Sequence, residues 1–249
     1  MKMAEVKDYG ELFTADILVV GGSMSGLTTA IRAKENNPEL DILVIDKGII
    51  GWNGQSTKAG NGIRSTSKHP DGVMNALGYL VHAHTPFLND QEFLKRYLEV
   101  HRDNIDYMKH CGVQVSCDED GNATPLTFIP DALDMAGVSI NVNAQLRAFA
   151  LKLGIRLMSR VNVFELLTSK TGKVIGAIGF GMDKGECKIF HAKAVAMATQ
   201  GCHFKKSAWS SWATAPAWAP CTGSAQSCGT WSSPPRWTWC SKNYTPIYG

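Results

Sequence analysis

The stretch that most restricts this chain's fold is an apolar run closed by glycines. Asp16 to Val20 (DILVV) ends at Gly21-Gly22, and an apolar run without alternation suits a strand buried on both faces. From Met24 to Lys34 the spacing turns helical, with Leu27, Ala30, Ile31 and Lys34 recurring until Asn36, Asn37 and Pro38 stop it. Ile42 to Ile45 is a second apolar strand and ends at Asp46. Strand, glycine turn, helix and parallel strand within about thirty residues form one βαβ unit.

The turn between strand and helix reads Gly21-Gly22-Ser23-Met24-Ser25-Gly26. Gly21 lets the chain turn sharply out of the strand, and Gly26 lets the helix lie close to the sheet. The helix N-terminus then offers unpaired N–H groups and a partial positive charge to a pyrophosphate. Asp46 follows Gly26 by twenty residues, where a carboxylate accepts hydrogen bonds from an adenosine ribose. In one respect the pattern departs from G-x-G-x-x-G: Ser23 stands at the middle glycine. Its side chain adds bulk where the backbone approaches the phosphates, and its hydroxyl is a possible donor to a phosphate oxygen. A βαβ unit that has lost its dinucleotide is the competing reading.

Further along, Gly51 to Gly62 (GWNGQSTKAGNG) is a loop too long for a simple turn, and such loops in compact domains are usually functional. Gln91 to Cys111 reads as one amphipathic helix, with Phe93, Leu94, Tyr97, Leu98, His101, Ile105 and Met108 on one stripe. His101 and His110 are expected as core-edge or surface residues rather than ligands. Asp118 to Asn122 is a turn, and Asn143 to Leu153 a helix followed by a strand at Ile155 to Met158. Val161 to Leu167, Val174 to Phe180 and Lys188 to His191 alternate like strands of a small sheet. Ala194 to Ala198 is a further buried strand, ending at Thr199, Gln200 and Gly201.

Composition narrows the class. A chain of 249 residues with 44% hydrophobic and 19% charged residues is ordinary globular protein, and a net charge of +3 gives no reason to expect nucleic acid. The N-terminus lacks the pattern of a signal peptide, and no apolar stretch is long enough to span a membrane. Seven cysteines without short paired spacing argue against a disulfide framework or a zinc site. A reduced, cytoplasmic protein without a metal is expected.

Taken together, DILVVGGSMSG, VIDKG, GQSTKAGNGI, RVNVFELL and KAVAMATQG resemble, in order and spacing, the FAD-binding flavoprotein subunits of the fumarate reductase, succinate dehydrogenase and adenylylsulfate reductase family. The resemblance covers residues 14 to about 206. It implies an α/β, Rossmann-like FAD-binding fold with an inserted small β-sheet, and FAD held in an extended pose. The pyrophosphate would lie at Gly21, Gly22, Ser23, Met24, Ser25 and Gly26, and the ribose at Asp46 beside Lys47. The flavin side would lie near Gln55, Ser56, Thr57, Ala59, Gly60, Asn61 and Gly62. Val161, Asn162 and Val163 would bound the adenine side, with the loop Thr199, Gln200 and Gly201 after the last strand. Gln55 stands where covalently flavinylated relatives carry a histidine, so noncovalent FAD is expected. Gln200 replaces a glycine of the relatives' strand-end motif, and a positive φ there would be strained. The resemblance further implies a dicarboxylate or similar substrate and an iron–sulfur or cytochrome electron-transfer partner. No catalytic residue is matched, since the relatives' substrate-binding His, Thr and Arg residues lie in a capping domain and in later segments. An adenylylsulfate reductase-like subunit and a catalytically inactive, truncated product are the alternatives.

Past Lys206 the family pattern stops. Six of seven tryptophans fall between Trp209 and Trp239 in a stretch with almost no charge and no periodicity. Reading the third base of each codon with the first two of the next forces glycine at Trp212-Ala213 and at Trp218-Ala219. The same shift forces aspartate at Trp237-Thr238 and valine at Trp239-Cys240. With permitted wobble bases, Trp212 to Ser232 then reads GDRAGMGAVHRLGAELRNVEF, the segment that the relatives carry at this point. The expected division is therefore an incomplete FAD-binding domain at 14–206, an out-of-frame or irregular segment at 207–241 that does not fold natively, and a resumed segment at 242–249. The competing reading is a genuine Trp-rich loop that binds an aromatic or sugar ligand.

Overall fold

The structure is a computed structural model that describes residues 9–57, 62–84, 87 and 90–199. The tail from 207 to 249, with its two readings, lies outside the described residues. The first elements are β1 (Glu11–Val20), α1 (Met24–Asn36), β2 (Ile42–Asp46) and β3 (Gly62–Thr66). Then come α2 (Gly72–Tyr79), α3 (Gln91–Val100), α4 (Asn104–His110), β4 (Leu126–Ile129) and β5 (Leu133–Gly137). The chain continues with α5 (Val142–Lys152), β6 (Arg156–Ser159), β7 (Val161–Thr168), β8 (Val174–Gly181) and β9 (Cys187–Met197).

These elements fall into two compact units. The first, residues 9–57 with 143–199 among those described, holds a six-stranded sheet in the order β6-β2-β1-β9-β8-β7. Strands β6, β2, β1 and β9 run parallel, and β9, β8 and β7 form an antiparallel meander. Alternation along the central strands assigns the two faces. Leu18, Val20, Leu43 and Ile45 pack with Val161, Val163, Leu166, Ala177 and Phe190 in one core. Val19 and Val44 point the other way, toward the layer where α1 lies against β1 and β2 with Leu27, Ala30 and Ile31 buried. Every residue of β2 is buried, as its uniform apolar run requires.

Two strand expectations change. Lys188 to His191 and the run from Ala194 are not separate strands but parts of the single β9, which ends at Met197, one residue short of Ala198, so the meander extends the parallel sheet. Its last residues are exposed or half-buried rather than buried. β1 begins at Glu11 rather than Asp16, because its first half pairs in register with β9, from Glu11–Lys188 on to Val20–Met197. A Lys188–Glu11 ion pair of 2.8 Å adds to that pairing.

The small sheet expected from 161 to 191 is thus part of the six-stranded sheet; a separate antiparallel sheet, in the order β3-β5-β4 and not expected from the sequence, lies in the second unit, among described residues within 62–142. Ala76, Leu98, Ala132 and Leu133 form its core. The single helix expected over Gln91 to Cys111 is two helices joined by a 3₁₀ turn at His101–Asp103. Side chains at the break are drawn onto neighbouring backbone: Asn104 Nδ2 donates to Arg64 O at 3.1 Å and Arg102 to His69 O at 2.8 Å. The stripe is split accordingly, with Leu98, Ile105 and Met108 buried while Phe93 remains 61% exposed. Among the described residues no helix is long and apolar enough to cross a membrane.

Candidate functional site

The C-terminal ends of the parallel strands β1, β2 and β9 converge on the glycine turn. Gly21 N–H donates to Ile45 O and Ala198 N–H to Val20 O, both at 2.8 Å. Gly21 has φ +116°, and a Cβ there would meet Ala198 O at 2.5 Å, so the turn needs glycine on both grounds. A Cβ on Gly26 would stand 1.7 Å from Gly21 O. The same Cβ would come 3.3 Å from Ala198 Cβ just past β9, so the last glycine lets the helix lie close to the turn as well as to the end of the sheet.

Ser23 is the N-cap of α1, yet its side chain makes no cap hydrogen bond. N-cap serines ordinarily accept from the second or third helical N–H. Here the hydroxyl turns to the loop after β2 instead, lying 2.7 Å from Ser56 Oγ and 3.3 Å from Asn143 Nδ2. The first-turn N–H groups of Met24, Ser25 and Gly26 are therefore left uncapped by the side chain that usually takes one of them, at the positive end of the helix dipole.

Asp46, at the end of β2, is buried at 8% exposure. Its Oδ2 accepts from Gly22 N–H at 2.6 Å, and its Oδ1 accepts from Gly48 N–H at 2.7 Å and Asn53 Nδ2 at 2.6 Å. Three of roughly four acceptor positions of the carboxylate are thus filled by the chain itself. Lys47 beside it is half-buried, and desolvation lowers its ammonium pKa against the opposing attraction of Asp46.

Gly21, Gly22, Ser23, Met24, Ser25, Gly26, Asp46, Lys47, Ser56, Thr57 and Thr199 all belong to the first unit. Gln55, Ser56 and Thr57 form a 3₁₀ turn. Val161 and Val163 put their side chains into the sheet core, leaving the half-buried Asn162 pointing the other way. That segment adjoins the end of β2, since Arg160 N–H donates to Gly48 O at 3.0 Å. Gly62 opens β3 in the second unit. Ala59, Gly60, Asn61, Gln200 and Gly201 lie outside the described residues.

Two residues went unread in the sequence. Asn143, fully buried in the first turn of α5, accepts from Ser56 Oγ at 3.0 Å and donates to Asn53 O at 3.1 Å. Asn53 bridges from there to Asp46. An asparagine at the start of a helix ordinarily reads as a cap, so nothing local distinguished Asn143. Asn53 sat within the long loop, where its type is common.

The sequence profile of the FAD binding domain family matches residues 16–233. The chain belongs to this FAD-binding family. A curated relative, the 8-methylmenaquinol:fumarate reductase flavoprotein subunit of Wolinella succinogenes, is 27% identical over 109 residues, 43% of this chain and 18% of that protein. Among solved structures, a substituted E. coli quinol fumarate reductase FrdA superposes with a TM-score of 0.67 at 22% identity, over 77% of this chain and 33% of that one. Adenylylsulfate reductase from Archaeoglobus fulgidus gives 0.64 at 20% identity, over 78% and 32%. The chain thus spans about a third or less of these relatives. It is a Rossmann-like FAD-binding flavoprotein domain that resembles fumarate reductase flavoprotein subunits, and its cofactor is FAD. The residues present fit that cofactor: glycines that no side chain could replace, an uncapped helix N-terminus, and a buried carboxylate at the end of the second strand.

Proposed function

We propose that this domain holds FAD extended along the C-terminal edge of its parallel strands, as the flavoprotein part of a fumarate reductase-type oxidoreductase. The observation that carries the reading is the turn from Gly21 to Gly26, held by Asp46 through the Gly22 N–H and followed by an uncapped helix N-terminus. The N–H groups of Met24, Ser25 and Gly26 bind the pyrophosphate, and the remaining acceptor position of Asp46 takes a ribose hydroxyl. Asn162 and the adjoining backbone bound the adenine. The resemblance assigns Gln55, Ser56, Thr57, Ala59, Gly60, Asn61 and Gly62 to the flavin side, and Thr199, Gln200 and Gly201 to the loop after the last strand. Residues 14–206 are the proposed FAD-binding portion.

Bound flavin would exchange a hydride with a dicarboxylate; the protein's part is binding and orientation. An iron–sulfur or cytochrome protein is the proposed electron partner, and the cytoplasm the proposed compartment. No residue is assigned to the chemical step. The test is titration of the purified chain with FAD and with FMN, followed by quenching of flavin fluorescence. FAD should bind at least a hundredfold more tightly, because FMN lacks the pyrophosphate-linked adenosine that this site recognises. Equal affinity for the two, or none for either, would overturn the reading.

A further inference from the structure

The serine that replaces the middle glycine of the motif belongs to a closed ring of hydrogen bonds. Ser56 Oγ donates to Asn143 Oδ1 at 3.0 Å, and Asn143 Nδ2 donates to Ser23 Oγ at 3.3 Å. Either hydroxyl is a possible donor in the 2.7 Å contact between Ser23 and Ser56. With Ser56 already donating to Asn143, the donor there is Ser23, and the three bonds then run in one direction around the ring. The other Asn143 Nδ2 proton goes to Asn53 O at 3.1 Å, so both amide protons are used by the loop and the turn. Asn53 in turn donates to Asp46 Oδ1 at 2.6 Å.

The backbone supports the same contact. Gly54 has φ +96°, and a Cβ on it would come 2.2 Å from Ser23 Oγ. The loop therefore lies directly on the serine, a closeness that glycine at position 54 permits. Ser23 itself has φ −88° and ψ −170°, ordinary extended backbone that has no need of glycine. The usual reason for glycine at this position is room for phosphate. Here the hydroxyl is directed toward Ser56 and Asn143 and makes no cap bond to α1.

We propose that Ser23, Ser56 and Asn143 are positioning residues that fix the 53–57 loop on the pyrophosphate turn before FAD arrives. This inference rests on the FAD-binding reading above. Ser23 is then a gain in preorganisation, not a defect of the motif. Binding to an ordered loop avoids the entropy of ordering it at the moment of association. Each serine makes two of the three ring bonds, and opening the ring is expected to change affinity by roughly three- to tenfold, on the order of one net hydrogen bond.

The experiment measures FAD affinity for the full chain and for Ser23→Gly, Ser23→Ala, Ser56→Ala and the double variant Ser23→Gly/Ser56→Ala. Restoring the motif glycine with Ser23→Gly should weaken FAD binding about three- to tenfold, and Ser23→Ala should do the same without added backbone freedom. The double variant should be no worse than either single one, because one ring is opened only once. Tighter or unchanged binding in Ser23→Gly or Ser23→Ala would overturn the inference. So would additive losses, which mean that each hydroxyl contacts the cofactor independently. If the unsubstituted chain fails to bind FAD, the FAD-binding reading itself falls; if it binds and the variants behave otherwise than stated, only the ring is refuted. Far-UV circular dichroism of each variant confirms that the folded state is being compared.

Discussion

Asp46 Oδ2 accepts the backbone N–H of Gly22 at 2.6 Å across the end of the sheet, so the acid at the end of the second strand clamps the glycine turn. With Gly48 N–H and Asn53 Nδ2 on its other oxygen, it ties together two backbone N–H groups and the Asn53 side chain before any ribose is present. The carboxylate thus has a structural role of its own, to which the proposed ribose contact would be added.

Asp46→Ala should accordingly act in two measurements. Removing a charged acceptor strands the buried Gly22 N–H, which should destabilise the flavin-free protein by about 2–3 kcal/mol. FAD binding should weaken by a further ~1–3 kcal/mol. A variant with an unchanged flavin-free melting temperature and a large loss of FAD would show that Asp46 serves the ribose alone.

Gly26→Ala tests the packing of helix on turn. An added Cβ would lie 1.7 Å from Gly21 O, and backbone at that distance has no side-chain rotamer to yield. The expected cost is about 3 kcal/mol of stability, read as a lower urea midpoint, with loss of FAD binding. Gly154→Ala makes a useful contrast: open space surrounds that position, and its φ of +76° costs only local strain, ~1–2 kcal/mol.

The βαβ unit was legible because each of its signals is local. DILVV and ILVID are apolar runs that only a doubly covered strand needs, and Gly21 and Gly26 mark the turn between them. What stayed hidden depends on distant partners. Glu11 to Ala15 carries no strand pattern and is ordered by pairing with β9. The break at His101–Asp103 follows from side chains reaching Arg64 O and His69 O, which no helical stripe reveals. Asn143 lies 120 positions from Ser23 in the chain, and its burial is a tertiary fact.

We propose that the flavin is bound noncovalently, since Gln55 stands where covalently flavinylated relatives carry a histidine. Gln55 has no nucleophilic ring nitrogen, so no bond to the isoalloxazine forms there. Acid precipitation of the FAD-loaded protein should leave all the yellow colour in the supernatant. Flavin that stays with the pellet after washing would mean that another side chain attaches it.

His101 supplies the pH dependence. Its ring stacks on Tyr97, with centroids 4.8 Å apart, and its Nδ1 is buried without a hydrogen-bond partner. Burial lowers its pKa from 6.5 to about 4. The unfolded chain takes up the proton near pH 6.5 while the folded chain resists it down to about 4. Within that window the unfolded state binds more protons, so stability falls as the pH falls. The contribution is complete above pH 6.5, is eroded between 6.5 and 4, and changes no further below. It amounts to roughly 1–1.5 kcal/mol lost by pH 5.5 and roughly 3 kcal/mol over the whole window. His101→Phe keeps an aromatic ring against Tyr97 and removes both the proton site and the unpaired nitrogen. Urea midpoints at pH 7.5 and 5.5 should therefore drop in the parent chain by roughly 1–1.5 kcal/mol more than in the variant. Equal drops in the two proteins would place the His101 pKa near its ordinary value, with the ring open to water.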